Sequence, residues 1–357
     1  MMETSNETRN AARKNVVRVA SAACFAAWLV VVGSVAAFGG GAGEARELKE
    51  VVIGFQTIPN GEIVAKAFGR HEETFGLPVR WVQFSSGSEL NAAVAAGDVH
   101  LGLGGSSTTV SAIAQGVPAE VIWIYNIIGD NEALVVREDS DIDRVEDLVG
   151  KRAAAPFGAT THYHLLVALG LHGVDPGELT IMDLAPSDML AAWQRGDIDA
   201  GFVWEPTLAA MLDSGGRVLI SSREIADEGF LTGDIGIAHT RFASQHPEIV
   251  VQYLKNQIEA VEVIRNDPEA AADAIAQEFD LSSEEALRQM QSLVFLDGRE
   301  QLQAEYLGTP EAPGDLAGVF RETAVFLQEQ GILREAPDLP VFQAAINSHY
   351  LQQAVER

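Results

Sequence analysis

Two stretches of this chain repeat one pattern of apolar and polar positions. In the first, Leu90-Asn91-Ala92-Ala93-Val94-Ala95-Ala96 runs at helical spacing into Gly97-Asp98. Val99, Leu101 and Leu103 then alternate with other residues, and Gly104-Gly105-Ser106-Ser107 follows. In the second, Met189-Leu190-Ala191-Ala192-Trp193 runs into Gly196-Asp197, and Ile198, Ala200, Phe202 and Trp204 alternate up to Glu205-Pro206. A helical period that changes to a period of two, with glycine at the change, predicts a helix, a left-handed stop and a buried strand. Ser106 and Ser107 would open a helix running through Val110 to Gln115, and Pro206 suits the first turn of another. The repeat, about a hundred residues apart, predicts two similar α/β lobes facing each other across a cleft. Ligands in open α/β sheets sit beyond the carboxyl ends of the strands, which aims the loops at 104–107 and 204–206 at one site.

The same patterning places strands at Val51–Phe55, Val79–Phe84, Val121–Tyr125, Glu132–Arg137 and Lys151–Ala155. Helices are expected at Ile63–Phe75 and His164–Leu171. Glu132–Arg137 would carry the chain into the second lobe. Ile235–Ala238, flanked by Gly233 and Gly236, would return it in a hinge-like crossing. Residues 46–133 and 239–357 are thus assigned to lobe one, and 134–238 to lobe two. Beyond His246 the chain is mostly helical, with helices at Ile249–Ile264, Pro268–Phe279, Ser283–Leu293 and Leu316–Gln330. Asp267 before Pro268 and Ser282 before Glu284-Glu285 are good helix starts.

Residues 1–45 stand apart. Arg9, Arg13, Lys14 and Arg18 precede an uncharged stretch from Val19 to Gly43 with several small-residue cleavage points. This is the pattern of an export signal; a retained membrane anchor is the alternative, because the stretch is long enough to span a bilayer. Cys24 lies inside the stretch, before its longest apolar run, which argues against lipid attachment. From Arg46 onward there is no cysteine, so disulfides, thiolate chemistry and cysteine–metal sites are excluded there. The whole chain has 24 basic and 51 acidic residues, a net charge of -27. A field of that sign repels nucleic acid and anionic membranes and says little about a small ligand.

The candidate chemistry lies at strand ends. Gln56, after the first strand, carries an amide that both donates and accepts. Gly104–Ser107 offers glycines that let backbone N–H groups approach a ligand, and serines at a helix start, where anions bind; an ordinary serine cap is the other reading. Thr160-Thr161-His162-Tyr163 is its counterpart in the second lobe. His162 and His164 lack a nearby carboxylate or third histidine, so no metal is expected. Trp204 beside Glu205 suits an ammonium group, through cation–π attraction and charge pairing; alternatively Trp204 is core and Glu205 caps the next helix. Glu132 and Asp234 would meet between the lobes. No P-loop, Gly-x-Ser-x-Gly elbow or His-Glu-x-x-His pair is present, and no catalytic set emerges.

From Val51 to about His246 the chain resembles the periplasmic taurine-binding proteins of the sulfonate ABC importers, within the wider class of sulfonate, nitrate and thiamine-precursor binders. The resemblance rests on Gly104–Ser107, Glu132–Val136, Gly150-Lys151-Arg152, Thr160–Tyr163, Ala191–Asp199 and Val203-Trp204. It implies an α/β, two-lobed periplasmic-binding-protein-like fold of type II, with two Rossmann-like lobes, a ligand cleft, two hinge crossings and a helical C-terminal part. It also implies an exported, periplasmic monomer that captures taurine, needs no cofactor and delivers its ligand to an inner-membrane permease. The sulfonate would meet Ser106, Ser107, Thr160 and Thr161, with Gln56, His162 and Tyr163 nearby; the ammonium would meet Glu132 and Asp234, with Trp204 alongside. Closure about Ala133–Val136 and Gly233–Ala238 would seal the site. Such proteins can carry a small residue where Glu205 stands, and this chain departs there. Enzymes of related fold use cysteines that this chain lacks beyond residue 45, so no enzymatic activity is expected.

Overall fold

The computed structural model describes residues 48–356; the expected export segment at 1–45 lies outside them. Among the described residues ten strands are formed: β1 Val51–Phe55, β2 Val79–Gln83, β3 Leu101–Gly105, β4 Ala119–Ile127, β5 Glu132–Arg137, β6 Arg152–Ala155, β7 Thr180–Asp183, β8 Ala200–Trp204, β9 Gly216–Ser221 and β10 Gly233–His239. They make two five-stranded sheets, ordered β2-β1-β3-β10-β4 and β7-β6-β8-β5-β9. In each sheet the first three strands run parallel and the fourth is antiparallel to both of its neighbours. The sheets are therefore equivalent, β3 matching β8 and β10 matching β5. The repeat seen in the sequence occupies matching places. Helix Gly87–Ala96 stops at Gly97 (φ 81°) before β3, and helix Pro186–Arg195 stops at Gly196 (φ 77°) before β8. A side chain at either glycine would be strained in that left-handed conformation.

The chain crosses between the sheets twice, after β4 and before β10. Both expected hinges shift as a result. Ala133–Val136 lies inside β5, and Gly233–Ala238 lies inside β10, which pairs along its length with β3 and β4 of the first sheet. Ladder hydrogen bonds fix those backbones, and the segments that join the two sheets outside the ladders are 128–131 and 230–232. The boundary expected at 238 likewise moves to the start of β10. Two further expectations change. The helix expected at 63–75 divides at Gly69 (φ 62°) into Gly61–Ala67 and Arg70–Phe75. The helix expected from His164 begins at Thr160.

One large apolar core joins the first sheet, helix Thr160–Leu171 and the C-terminal helices. A smaller one, with Met189, Trp193 and Met211, fills the opposite face of the second sheet. The C-terminal helices lie where expected, Pro247–Asn266, Pro268–Phe279, Ser283–Gln291 and Leu316–Glu329. Gln301 completes the edge of β4 by accepting from Ile124 N (2.8 Å) and donating to Ile124 O (2.9 Å). Helix Pro247–Asn266 meets a buried carboxylate: Glu62 accepts from Tyr253 Oη (2.6 Å) and Tyr125 Oη (3.2 Å) and also contacts His71 and Gln257. A carboxyl group can be buried there because hydrogen-bond partners surround it.

Candidate ligand-binding site

The strand registers build the site. Glu132 opens β5 opposite Trp204, the last residue of β8, and Asp234 in β10 lies opposite Gly105, the last residue of β3. Glu132 and Asp234 are thus equivalent positions of the two sheets. Both line a pocket between the lobes, together with Gln56, Ile58, Gly87, Gly105, Thr108, Ala159, Thr160 and Trp204.

Three helices begin at the wall. Gly87, Gly105 and Ala159 each line the cavity where helices Gly87–Ala96, Ser106–Ala114 and Thr160–Leu171 start. The second and third have no side-chain cap, which leaves first-turn N–H groups to be met from the cavity side. Glycine is required at two of these starts. A Cβ on Gly105 would lie 2.9 Å from Thr160 Cγ2, and one on Gly87 would lie 2.6 Å from Thr108 Oγ1.

The opposite character comes from the two carboxyl groups. Glu132 and Asp234 are 4% and 3% exposed. Thr160 Oγ1 donates to Glu132 Oε1 (2.6 Å), Ser222 Oγ lies 3.4 Å from Glu132 Oε2, and Asn126 Nδ2 donates to Asp234 Oδ2 (2.8 Å). Burial raises Glu132 to about 8, against the hydrogen bond from Thr160 and aided by the charge of Asp234. Burial also raises Asp234, to about 6, opposed by the hydrogen bond from Asn126. No lysine or arginine is among the cavity residues. Two carboxyl groups without a cation form an acceptor site for a positively charged group. Trp204 lies beside Glu132, and Gln56 donates to Leu103 O (3.3 Å), which leaves its amide oxygen and second N–H for the cavity.

The structure brings together Gln56, Glu132, Thr160, Trp204 and Asp234, and separates the other expected residues from the cavity. Ser106 Oγ accepts from Gly233 N (3.4 Å), and Ser107 Oγ donates across the cleft to Gly158 O (3.1 Å). Because the helix starts at Thr160, the next three residues turn away at about 100° each. Thr161 Oγ1 is buried without a partner. His162 accepts from Gly158 N (3.2 Å) and stacks on Phe157. Tyr163 packs edge-on against Phe326. Glu205 accepts from Ala209 N (2.9 Å), in the first turn of helix Thr207–Asp213, and from Arg288 Nη1 (3.1 Å), which fits the alternative reading that ties it to that helix start. Sequence reasoning missed Ile58, Gly87, Thr108 and Ala159. The signal for Gly87 and Ala159 was their place at helix starts; Thr108 required knowing where the helix begins. Among the described residues no cluster of metal-ligating side chains occurs.

Fold and site together define a two-lobed, periplasmic-binding-protein-like molecule with a buried site for a small ligand. The chain belongs to the NMT1/THI5-like family, whose model matches residues 60–271. It is 36% identical to the taurine-binding periplasmic protein of Escherichia coli (strain K12), over 79% of this chain and 87% of that protein. It is 29% identical, over 66% of this chain and 71% of the relative, to a protein of Bacillus subtilis (strain 168) assigned to the binding of aliphatic sulfonates. Its fold is that of the alkanesulfonate-binding protein of Xanthomonas axonopodis pv. citri bound to MOPS, with TM-score 0.69, 23% identity and coverage of 85% and 99%. A desulfurization enzyme shares the fold at TM-score 0.62, with 15% identity and coverage of 87% and 99%. Binding and catalysis thus both occur on this architecture.

Proposed function

We propose that the protein is the periplasmic substrate-binding component of an ABC importer, capturing taurine and passing it to an inner-membrane permease. One observation carries the ligand assignment. A cavity walled on one side by Glu132 and Asp234 and on the other by uncapped helix starts matches a compact zwitterion with an ammonium and a sulfonate. The ammonium meets the two carboxyl groups along the face of Trp204. The sulfonate meets the N–H groups near Gly105 and Thr160, with Gln56 adding an amide. The likeness to the E. coli taurine-binding protein supports the same ligand. Each charged end leaves water only where partners replace it, so an analogue lacking one end leaves a buried group unpaired. In this reading the protein acts by binding and release, a role that its likeness to binding proteins supports.

Calorimetric titration with taurine, ethanesulfonate and β-alanine tests this. Tight binding of taurine is expected, with a loss of about tenfold or more for each analogue, one charge-assisted hydrogen bond being worth about 1.5–3 kcal/mol. Equal binding of ethanesulfonate would overturn the ammonium assignment and make the protein a general sulfonate carrier, the reading that the B. subtilis relative favours.

A further inference from the structure

Asp234 owes its surroundings to an irregularity of β4. Ile235 lies opposite Ile124 but Asp234 lies opposite Asn126, so Tyr125 is an extra residue in the ladder. A bulge of this kind re-aims the side chains around it. In an unbroken ladder Tyr125 would stand opposite Asp234. Instead Tyr125 turns to Glu62 and Tyr253, and Asn126 takes the place beside the acid. Directly opposed residues of antiparallel strands put their side chains on one face of the sheet. Asn126 is fully buried, and its Nδ2 donates to Asp234 Oδ2 (2.8 Å). Its Oδ1 is buried without a partner. An amide with one end unpaired adds less to folding than an apolar side chain of its shape, so folding alone gives no reason for an asparagine here. Asp234 in turn has one side-chain hydrogen bond among the described residues, at Oδ2, which leaves Oδ1 for the pocket that it lines.

We propose that Asn126 gives the site its preference for a cation: by holding Oδ2, it fixes the Asp234 carboxyl group as an ionised acceptor with Oδ1 turned to the ligand's ammonium. The inference rests on the reading of the pocket as a site for a zwitterion. Asn126 is not among the residues that line the pocket, and it is a positioning residue. An amide N–H only donates and a carboxylate only accepts, so the contact suits ionised Asp234. The amide could turn and accept from a protonated Asp234, but a hydrogen bond to an ionised group is about twice as strong as one between neutral groups. The pair therefore favours the carboxylate.

Glu132, at the equivalent place of the second sheet, has hydroxyls in place of the amide: Thr160 Oγ1 at 2.6 Å and Ser222 Oγ at 3.4 Å. A hydroxyl donates to a carboxylate or accepts from a carboxylic acid, so the neighbours of Glu132 suit both of its forms. The two acids thus differ in kind, and Asp234 is the one prepared for an ammonium. The titratable groups that face Asp234 are Glu132 on β5 and Tyr125 on β4, and no lysine or arginine lines the pocket. Burial raises Asp234 to about 6 and Asn126 opposes the rise. Loss of the amide therefore moves ionisation of Asp234 to higher pH.

The test compares two ligands in two proteins. Taurine and ethanesulfonate are titrated calorimetrically into the wild-type protein and Asn126→Leu, at about pH 6 and about pH 8, either side of the carboxyl titration. Ethanesulfonate has no ammonium, so its affinity reports the fold and the sulfonate side of the site. Asn126→Leu should bind ethanesulfonate as tightly as the wild type or more tightly, because a protonated Asp234 repels the sulfonate less. It should bind taurine about tenfold more weakly, with the larger loss at the lower pH. An unchanged preference for taurine would overturn the assignment, and so would an equal loss for both ligands, which would make Asn126 a part of the fold only. Asn126→Val, whose side chain suits a strand, has the same expected result and serves if Asn126→Leu does not fold. If the wild-type protein does not prefer taurine, the ligand reading fails separately, and the positioning is read from the protein alone. The carboxyl carbon resonance of Asp234 should then titrate near 6 in the wild type and about one pH unit higher in Asn126→Leu; equal midpoints would overturn the role of Asn126.

Discussion

A carboxylate taken out of water needs either a cation or several donors, and Glu132 and Asp234 have only hydroxyls and one amide. Their raised values set the pH dependence of stability. Below about pH 4.5, the ordinary value for Glu132, its carboxyl group is protonated folded or unfolded. Between there and about 8 the unfolded chain ionises while the folded one keeps its proton. The unfolded state binds fewer protons in that window, so stability without ligand falls as the pH rises. Glu132→Gln should remove this decline and raise the melting temperature at pH 7.5, by about 2–4 °C for each kcal/mol recovered. The same change should weaken taurine binding about 10- to 100-fold. Thermal melts against pH with calorimetry check both; a variant that binds normally would sink the assignment of Glu132. The types of these residues were legible in the sequence, as was their place at strand starts. The orientation of their neighbours was not. Shifting a helix start from 164 to 160 changes which side chain faces the ligand, and no local pattern fixed that start.

Helices and strands hold the cleft together through a few polar bridges. Arg288, half-exposed on helix Ser283–Gln291, reaches buried Glu205 on the far side of the cleft, while Ser107 at the start of helix Ser106–Ala114 bonds Gly158. Burial raises Glu205, opposed by the N–H of Ala209 and by Arg288. Arg288→Ala should therefore loosen the closed arrangement rather than the cavity itself. A partly exposed ion pair is worth about 1 kcal/mol, so taurine should dissociate about fivefold faster, with little change in association. Stopped-flow fluorescence of Trp204 would show it, and an unchanged dissociation rate would remove the bridge from the closure. The pairs of elements that make these bridges are more than fifty residues apart in sequence, and their contact depends on packing rather than on spacing. The edge strands β7 and β9 escaped sequence reasoning for a related reason: their half-exposed residues lack the continuous apolar run that marks β1 or β8.

For the whole molecule, the net charge of -27 creates a long-range field that acts on net charge, whereas the proposed ligand carries two opposite charges held close together. Taurine is neutral overall, and salt screens only exposed charges. Its affinity should change less than about threefold between 50 and 500 mM sodium chloride; a steep loss would mean that binding depends on the surface field. The sequence by itself determined the doubled α/β pattern, the glycine stops at Gly97 and Gly196, and the positions of Gln56, Glu132, Trp204 and Asp234 at strand ends. These features are written in local periodicity and in backbone freedom. Only the tertiary structure decided that β10 completes the first sheet and β5 the second, which sets Asp234 beside Gly105 and Glu132 beside Trp204. It also decided that Ser106, Ser107, His162, Tyr163 and Glu205 meet partners outside the cavity lining, and that Thr161 Oγ1 is buried without one. The physical reason is that a side chain's direction depends on helical phase and strand register, and both are fixed by partners distant in the chain.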